Sequence, residues 1–126
     1  MVTYPAPATH CMKVTIYHNP RCSKSRATLA LLLERGIRAE VIEYLDAPPD
    51  RNTLLRLLKS LNLSPRELLR TGEAAYKELD LGRTQMTDAE IIDIMVCNPI
   101  LIERPIVVAG SRAAIGRPPE RVLEIL

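Results

Sequence analysis

Cys22 lies in the run His18-Asn19-Pro20-Arg21-Cys22-Ser23-Lys24-Ser25-Arg26, where a strand-like segment ends and a helical one begins. From Ser23 to Arg35 the residues Ala27, Leu29, Ala30, Leu32 and Leu33 recur at helical spacing, and Gly36 supplies the stop. The sulfur is therefore expected at a helix N-terminus, where the helix dipole favours thiolate over thiol. Lys24, Arg26 and His18 can add positive charge to the same loop. A structural cysteine is the alternative, but a cation-rich junction between loop and helix suits a nucleophile better.

Counting residues removes two common templates for such a cysteine. A Cys-x-x-Cys pair needs cysteine at 25, where Ser25 stands, and a phosphatase-type loop needs arginine at 28, where Thr28 stands. What remains is a single nucleophile whose adduct must be resolved by an external thiol. Ser25 can donate to the thiolate or cap the helix, and the sequence leaves the two roles open. His18 can orient the nucleophile or assist a proton transfer, or it can simply bind backbone in its turn. With only two histidines, the His10, Cys11, His18, Cys22 grouping fits no usual zinc pattern, and no metal is expected. Cys97, beside an apolar helical face and Pro99, is expected in or near the core.

Three arginines stand next to chain-breaking residues: Arg70 before Thr71-Gly72, Arg104 before Pro105, and Arg117 before Pro118. The guanidinium fork suits tetrahedral oxyanions, and residues at element ends can converge on one pocket. Spacing alone does not separate them from solvated surface arginines. Pro105, just ahead of a strand, is a candidate cis-proline facing the cysteine loop.

The elements that must position these residues follow from periodicity and punctuation. Lys13 to Tyr17 reads as a first strand and Arg38 to Tyr44 as a second, which with the intervening helix makes a parallel unit. From Asp50 to Asn98 the chain reads helical throughout, with capping boxes at Ser64/Glu67 and Thr87/Glu90. Ile106 to Ala109 and Arg112 to Ile115 form a hairpin around Gly110-Ser111, and Pro119 to Leu126 a terminal helix. The order is an α/β, thioredoxin-like βαβ-ββα sheet with an all-helical insertion, about 50–98, after the second strand. Residues 1–11, with Pro5 and Pro7, read as a loose arm, leaving 12–126 as one domain.

Composition excludes several classes of function. The net charge of +2 is spread without a basic field, and Phe and Trp are absent, so no nucleic-acid partner is expected. No apolar run approaches the roughly 18 residues of a membrane span. Three widely spaced cysteines and no export signal point to a reducing, cytoplasmic setting.

The run His18 to Arg26 resembles the active-site loop of the glutaredoxin-coupled arsenate reductases. The likeness continues through Leu69-Arg70, through Asn98-Pro99-Ile100-Leu101-Ile102-Glu103-Arg104-Pro105-Ile106-Val107-Val108, and through Gly116-Arg117-Pro118. It implies a thioredoxin-like fold with Cys22 as nucleophile, and Arg70, Arg104 and Arg117 as the oxyanion-binding residues. It also implies that His18 and Ser25 support the thiolate, and it puts Pro105 at the family's cis-proline position. The implied activity is reduction of arsenate: the thiolate forms an arsenic adduct, glutathione attacks it, glutaredoxin removes the glutathione, and arsenite leaves. Glutathione is then a co-substrate and no bound cofactor is needed. A redox-responsive regulatory or adaptor protein of the same fold, or a general glutathione-dependent thiol reductase, is the alternative. The first usually relies on a Cys-x-x-Cys switch, which Ser25 argues against.

Overall fold

The computed structural model describes residues 13–82 and 85–126, so the expected arm at 1–11, and Cys11 with it, lies outside the described residues. The chain runs β1 (Val14–His18), α1 (Ser23–Glu34), β2 (Glu40–Glu43), α2 (Arg51–Leu61), a 3-10 turn (Pro65–Leu68), α3 (Ala74–Glu78), α4 (Asp88–Cys97), a second 3-10 turn (Pro99–Leu101), β3 (Ile106–Ala109), β4 (Arg112–Ile115) and a last 3-10 segment (Pro119–Ile125).

The strands form one sheet in the order β2-β1-β3-β4. β1 and β2 are parallel with Ile16 opposite Val41, β1 and β3 are antiparallel with Ile16 opposite Val107, and β3 and β4 close the hairpin with Val107 opposite Ala114. Alternation along β3 sends Val107 and Ala109 to one face and Ile106 to the other, which divides the apolar interior in two. On one face Val14, Ile16, Val107 and Ala109 pack with Leu32 of α1 and with Val122 and Ile125. On the other, Ile106 and Tyr44 pack with Leu54, Leu57 and Leu58 of α2 and Ile91, Ile92 and Met95 of α4.

Local chemistry sets the helix starts. Asp50 caps α2 by accepting from the Thr53 amide at 2.8 Å, and the two capping boxes form where expected, with Ser64 N–H donating to Glu67 Oε1 at 2.8 Å and Thr87 N–H to Glu90 Oε1 at 2.9 Å. Asn62, with φ of 58°, ends α2 in the left-handed region that short polar side chains tolerate.

Two expectations are corrected, and a third is made more specific. The stretch 50–98 is not helical throughout: it is broken around Asn62–Ser64 and after Leu68, and Leu69 leaves the block to bridge Ile102 in antiparallel fashion. The terminal helix stands where expected and is 3-10, beginning at a Pro118-Pro119 pair that supplies no amide donors. Cys97 is exposed, not packed in. It follows Met95, which is buried, by two positions, and at about 100° per residue that carries it to the solvent side of α4.

Candidate active site

Cys22 is the N-cap of α1, with extended backbone angles of −94° and 123°, and its side chain caps no amide. The free amides of the first turn are thus left facing the sulfur, and no acidic residue occupies that turn. The loop ahead of it is closed by hydrogen bonds from Cys22 N–H to Asn19 C=O at 3.0 Å and from Arg21 N–H to Asn19 Oδ1 at 2.9 Å. Arg26 reaches back to the Pro20 carbonyl at 2.9 Å, which fixes the loop against its own helix.

Burial alone would push the Cys22 thiol up, and it is the largest influence on the group. It is outweighed by the Ser25 backbone N–H, the Arg104 side chain, the Lys24 backbone N–H and the Arg104 charge, so the thiol sits below its ordinary value. Two guanidiniums flank the sulfur in different ways. Arg117 Nη2 is aligned to donate to Sγ at a long 3.6 Å, whereas Arg104 approaches without that alignment yet supplies the stronger pull on the proton. Arg104 has the larger electrostatic share, because its side chain is 13% exposed against 31% for Arg117 and is less screened by solvent. Arg104 is itself held above its usual value: burial opposes this most, but Cys22, Tyr44 and Glu73 outweigh it, and the side chain stays charged.

His18 and Ser25 meet each other rather than the sulfur. His18 Nδ1 lies 2.7 Å from Ser25 Oγ, and Ser25 Oγ also accepts from Asn19 N–H at 3.0 Å. Both side chains are buried, Ser25 completely. With its hydroxyl committed in this way, Ser25 acts on the sulfur through its backbone amide and not through Oγ, and it does not serve as the cap of α1. His18 is pushed down, first by burial and then by Arg26, against an opposing Glu43, so the ring is neutral near neutral pH.

Arg70, Arg104 and Arg117 converge, drawn together by two glutamates that sequence reading did not single out. Arg70 donates to Glu73 Oε2 at 3.1 Å and to Glu103 Oε1 at 2.6 Å. Arg104 Nη1 reaches Glu73 Oε2 at 3.3 Å, and Arg117 Nε lies 3.3 Å from Glu103 Oε1 while donating to the Arg104 carbonyl at 2.7 Å. Three guanidiniums against two carboxylates leave one positive charge, which a Cys22 thiolate balances. Arg70 enters this cluster because its N–H bonds the Leu101 carbonyl at 2.8 Å beside the Leu69–Ile102 bridge. The Arg104–Pro105 peptide is cis, as is Arg117–Pro118. Gly116 fits tightly here, its N–H bonding Pro105 C=O at 2.9 Å and its Cα facing Thr28 of α1.

The Glu73 signal was present as a carboxylate three residues after Arg70, and Glu103 is adjacent to Arg104, but both spacings are common on ordinary surfaces. Among the described residues no cluster of His, Cys, Asp and Glu converges to hold a metal ion, and no helix is long and apolar enough to cross a membrane.

The model of the ArsC family matches residues 17–125, a span that holds the cysteine loop and all three arginines. The chain belongs to the ArsC family. It is 56% identical over 115 residues to the Escherichia coli K12 protein called uncharacterized protein YfgD, covering 90% of this chain and 97% of that one. A relative from Neisseria meningitidis serogroup A, named arsenate reductase, is 46% identical over 115 residues, covering 90% of this chain and 98% of that one. Among solved structures, an arsenate reductase from Vibrio cholerae superposes with a TM-score of 0.88 at 52% identity, covering 91% of this chain and 98% of that one. The thioredoxin-like architecture expected from the element order is the fold of this ArsC chain.

Proposed function

We propose that this chain is an arsenate reductase in which Cys22 is the nucleophile and Arg70, Arg104 and Arg117 receive the oxyanion. The observation that carries the reading is the setting of Cys22: a depressed thiol at the start of α1, flanked by two guanidiniums, in an ArsC-family chain with relatives named arsenate reductase.

The thiolate attacks arsenic, and a protonated oxygen leaves as water, giving a Cys22–sulfur–arsenic(V) adduct. Guanidinium forks bind the charged oxygens and hold arsenic in line with the sulfur. Glutathione then adds through its thiol with loss of a second water. Glutaredoxin attacks the glutathione sulfur, a mixed disulfide forms, and the electron pair of the broken sulfur–arsenic bond reduces arsenic(V) to arsenic(III). Water cleaves the remaining bond, releasing arsenite and returning the Cys22 thiol. His18 and Ser25 hold the loop, so they are positioning residues in this scheme. The domain runs from 12 to 126, with the helical insertion contributing Arg70. A cycle that consumes glutathione suits a reducing compartment, and on this reading the protein works in the cytoplasm.

The test is arsenite release by purified protein with glutathione and glutaredoxin supplied separately and together. Wild type should turn over only with both, Cys22→Ser should be inactive with its fold retained, and Cys97→Ser should remain active. Full activity in Cys22→Ser would overturn the mechanism, and turnover with glutathione alone would remove glutaredoxin from it.

A further inference from the structure

Two buried polar atoms in the described structure have no hydrogen-bond partner, Tyr44 Oη and Arg104 Nε, and they belong to neighbouring side chains. Tyr44 follows β2, is 1% exposed, and belongs to the apolar cluster that also holds Leu68, Leu69, Leu101, Ile102 and Ile106. Leu69 precedes Arg70, and Ile102 and Ile106 bracket Arg104, so the cluster that buries the ring also anchors the two segments that deliver these arginines. Burial raises the phenol pKa, and the charge of Arg104 and a guanidinium within hydrogen-bonding reach of Oη oppose this, although no aligned bond closes between the two side chains. The hydroxyl therefore remains protonated at neutral pH, with its lone pairs free to accept.

An unpartnered buried hydroxyl is costly, and a phenylalanine of the same shape would avoid that cost. The Arg104 guanidinium lies near enough to interact with Oη, yet neither Oη nor Nε has an aligned partner, so a rotation of the guanidinium can close a bond between them. In the free protein Arg104 spends Nη1 on Glu73, at 3.3 Å. An oxyanion seated on Cys22 offers Arg104 a closer and stronger partner, and turning toward it changes the direction of Nε.

We propose that Tyr44 is a positioning residue for Arg104, its hydroxyl accepting the Nε–H when the guanidinium leaves Glu73 for a bound oxyanion. The inference rests on the oxyanion reading of the site and adds to it a second state of Arg104. Tyr44 touches neither substrate nor sulfur in this scheme and acts only through the arginine.

The experiment compares wild type, Tyr44→Phe, Arg104→Ala and the double variant by thermal unfolding, by arsenate kinetics, and by protection of Cys22 from iodoacetamide with inorganic phosphate. Tyr44→Phe should be as stable as wild type or more so, with its arsenate KM raised about tenfold, kcat changed less, and phosphate protection weakened to a similar extent. In the Arg104→Ala background the same change should have no further effect on protection. Unchanged KM and protection in Tyr44→Phe would overturn the proposal, as would a lowered melting temperature, which would show the hydroxyl to be bonded in the free protein. An additive loss in the double variant would overturn action through Arg104. If wild type releases no arsenite, the arsenate reading fails, while phosphate protection still decides whether Tyr44 serves Arg104.

Discussion

Burying a thiol normally holds its proton on, so the direction of the Cys22 shift depends on donors that the fold has to supply. The amides of Ser25 and Lys24 come with any helix start, but Arg104 arrives from more than 80 positions away. Alkylation rate should therefore rise with pH and level off at a midpoint below the free-thiol value of about 8.5. Arg104→Ala should move that midpoint up, because the thiolate loses its strongest nearby charge. A midpoint unmoved by the substitution would contradict the assignment. The arginines should also differ from a solvated control in the assay. Losing a charged hydrogen bond to the oxyanion costs about 1.5 to 3 kcal/mol, or roughly ten- to hundredfold in kcat/KM, for Arg104→Ala and Arg117→Ala. Arg56→Ala, on an exposed position of α2 where the guanidinium bonds Thr53 Oγ1 and neighbours Asp50, away from Cys22, should stay close to wild type. Arg70→Lys keeps the charge but loses the fork that spans Glu73 and Glu103, and should retain part of the activity. Equal activities in these variants, measured with phosphate as competitor, would dissolve the cluster as a substrate site.

The β4 end and α1 are brought together through a position where only hydrogen fits. A Cβ on Gly116 would lie 2.5 Å from Thr28 Oγ1 and 2.9 Å from Pro105 Cγ, so Gly116→Ala must push the hairpin and α1 apart. Overpacking of this kind costs about 1 to 3 kcal/mol, and the displacement would be passed directly to Arg117. The variant should unfold at lower temperature and lose activity, and Thr28→Ala should restore part of both, since it removes the nearer clash and leaves Pro105. A Gly116→Ala protein with wild-type melting and turnover would show that the contact is slack. Such long-range fits also separate what was legible in the sequence from what was not. The hairpin bounds, both capping boxes and the Cys22 helix start rest on neighbours within a few residues, and they stand where composition and spacing put them. The break after Leu68 depends on Ile102, and the partners of Arg70 on Glu103, so nothing local announced either. Ser25 shows the same limit more finely. Its presence beside Cys22 was legible, but the choice of His18 over the sulfur depends on how the turn at Asn19-Pro20 folds back.

The candidate site draws on both halves of the molecule: Arg70 and Glu73 come from the helical block, Glu103, Arg104 and Arg117 from the segments that bracket β3 and β4, and Cys22 from the head of α1. An anion that engages all three arginines must therefore bind the assembled fold and not the unfolded chain, and its binding energy adds to stability by mass action. At a free phosphate concentration 100 times its dissociation constant the gain is about 2.7 kcal/mol. For a domain of 126 residues that corresponds to a rise in melting temperature of about 10 °C. Phosphate titration followed by thermal unfolding should give a saturable rise in wild type and in Arg56→Ala. Arg104→Ala and Arg117→Ala should need far more phosphate for the same effect, and a chloride titration at matched ionic strength should reproduce none of it. A general salt effect would instead raise all four proteins in parallel without saturation, because screening acts on exposed charges wherever they lie. That outcome would leave the five-residue ion-pair cluster as a structural clasp between the block and the sheet, with no claim on the oxyanion.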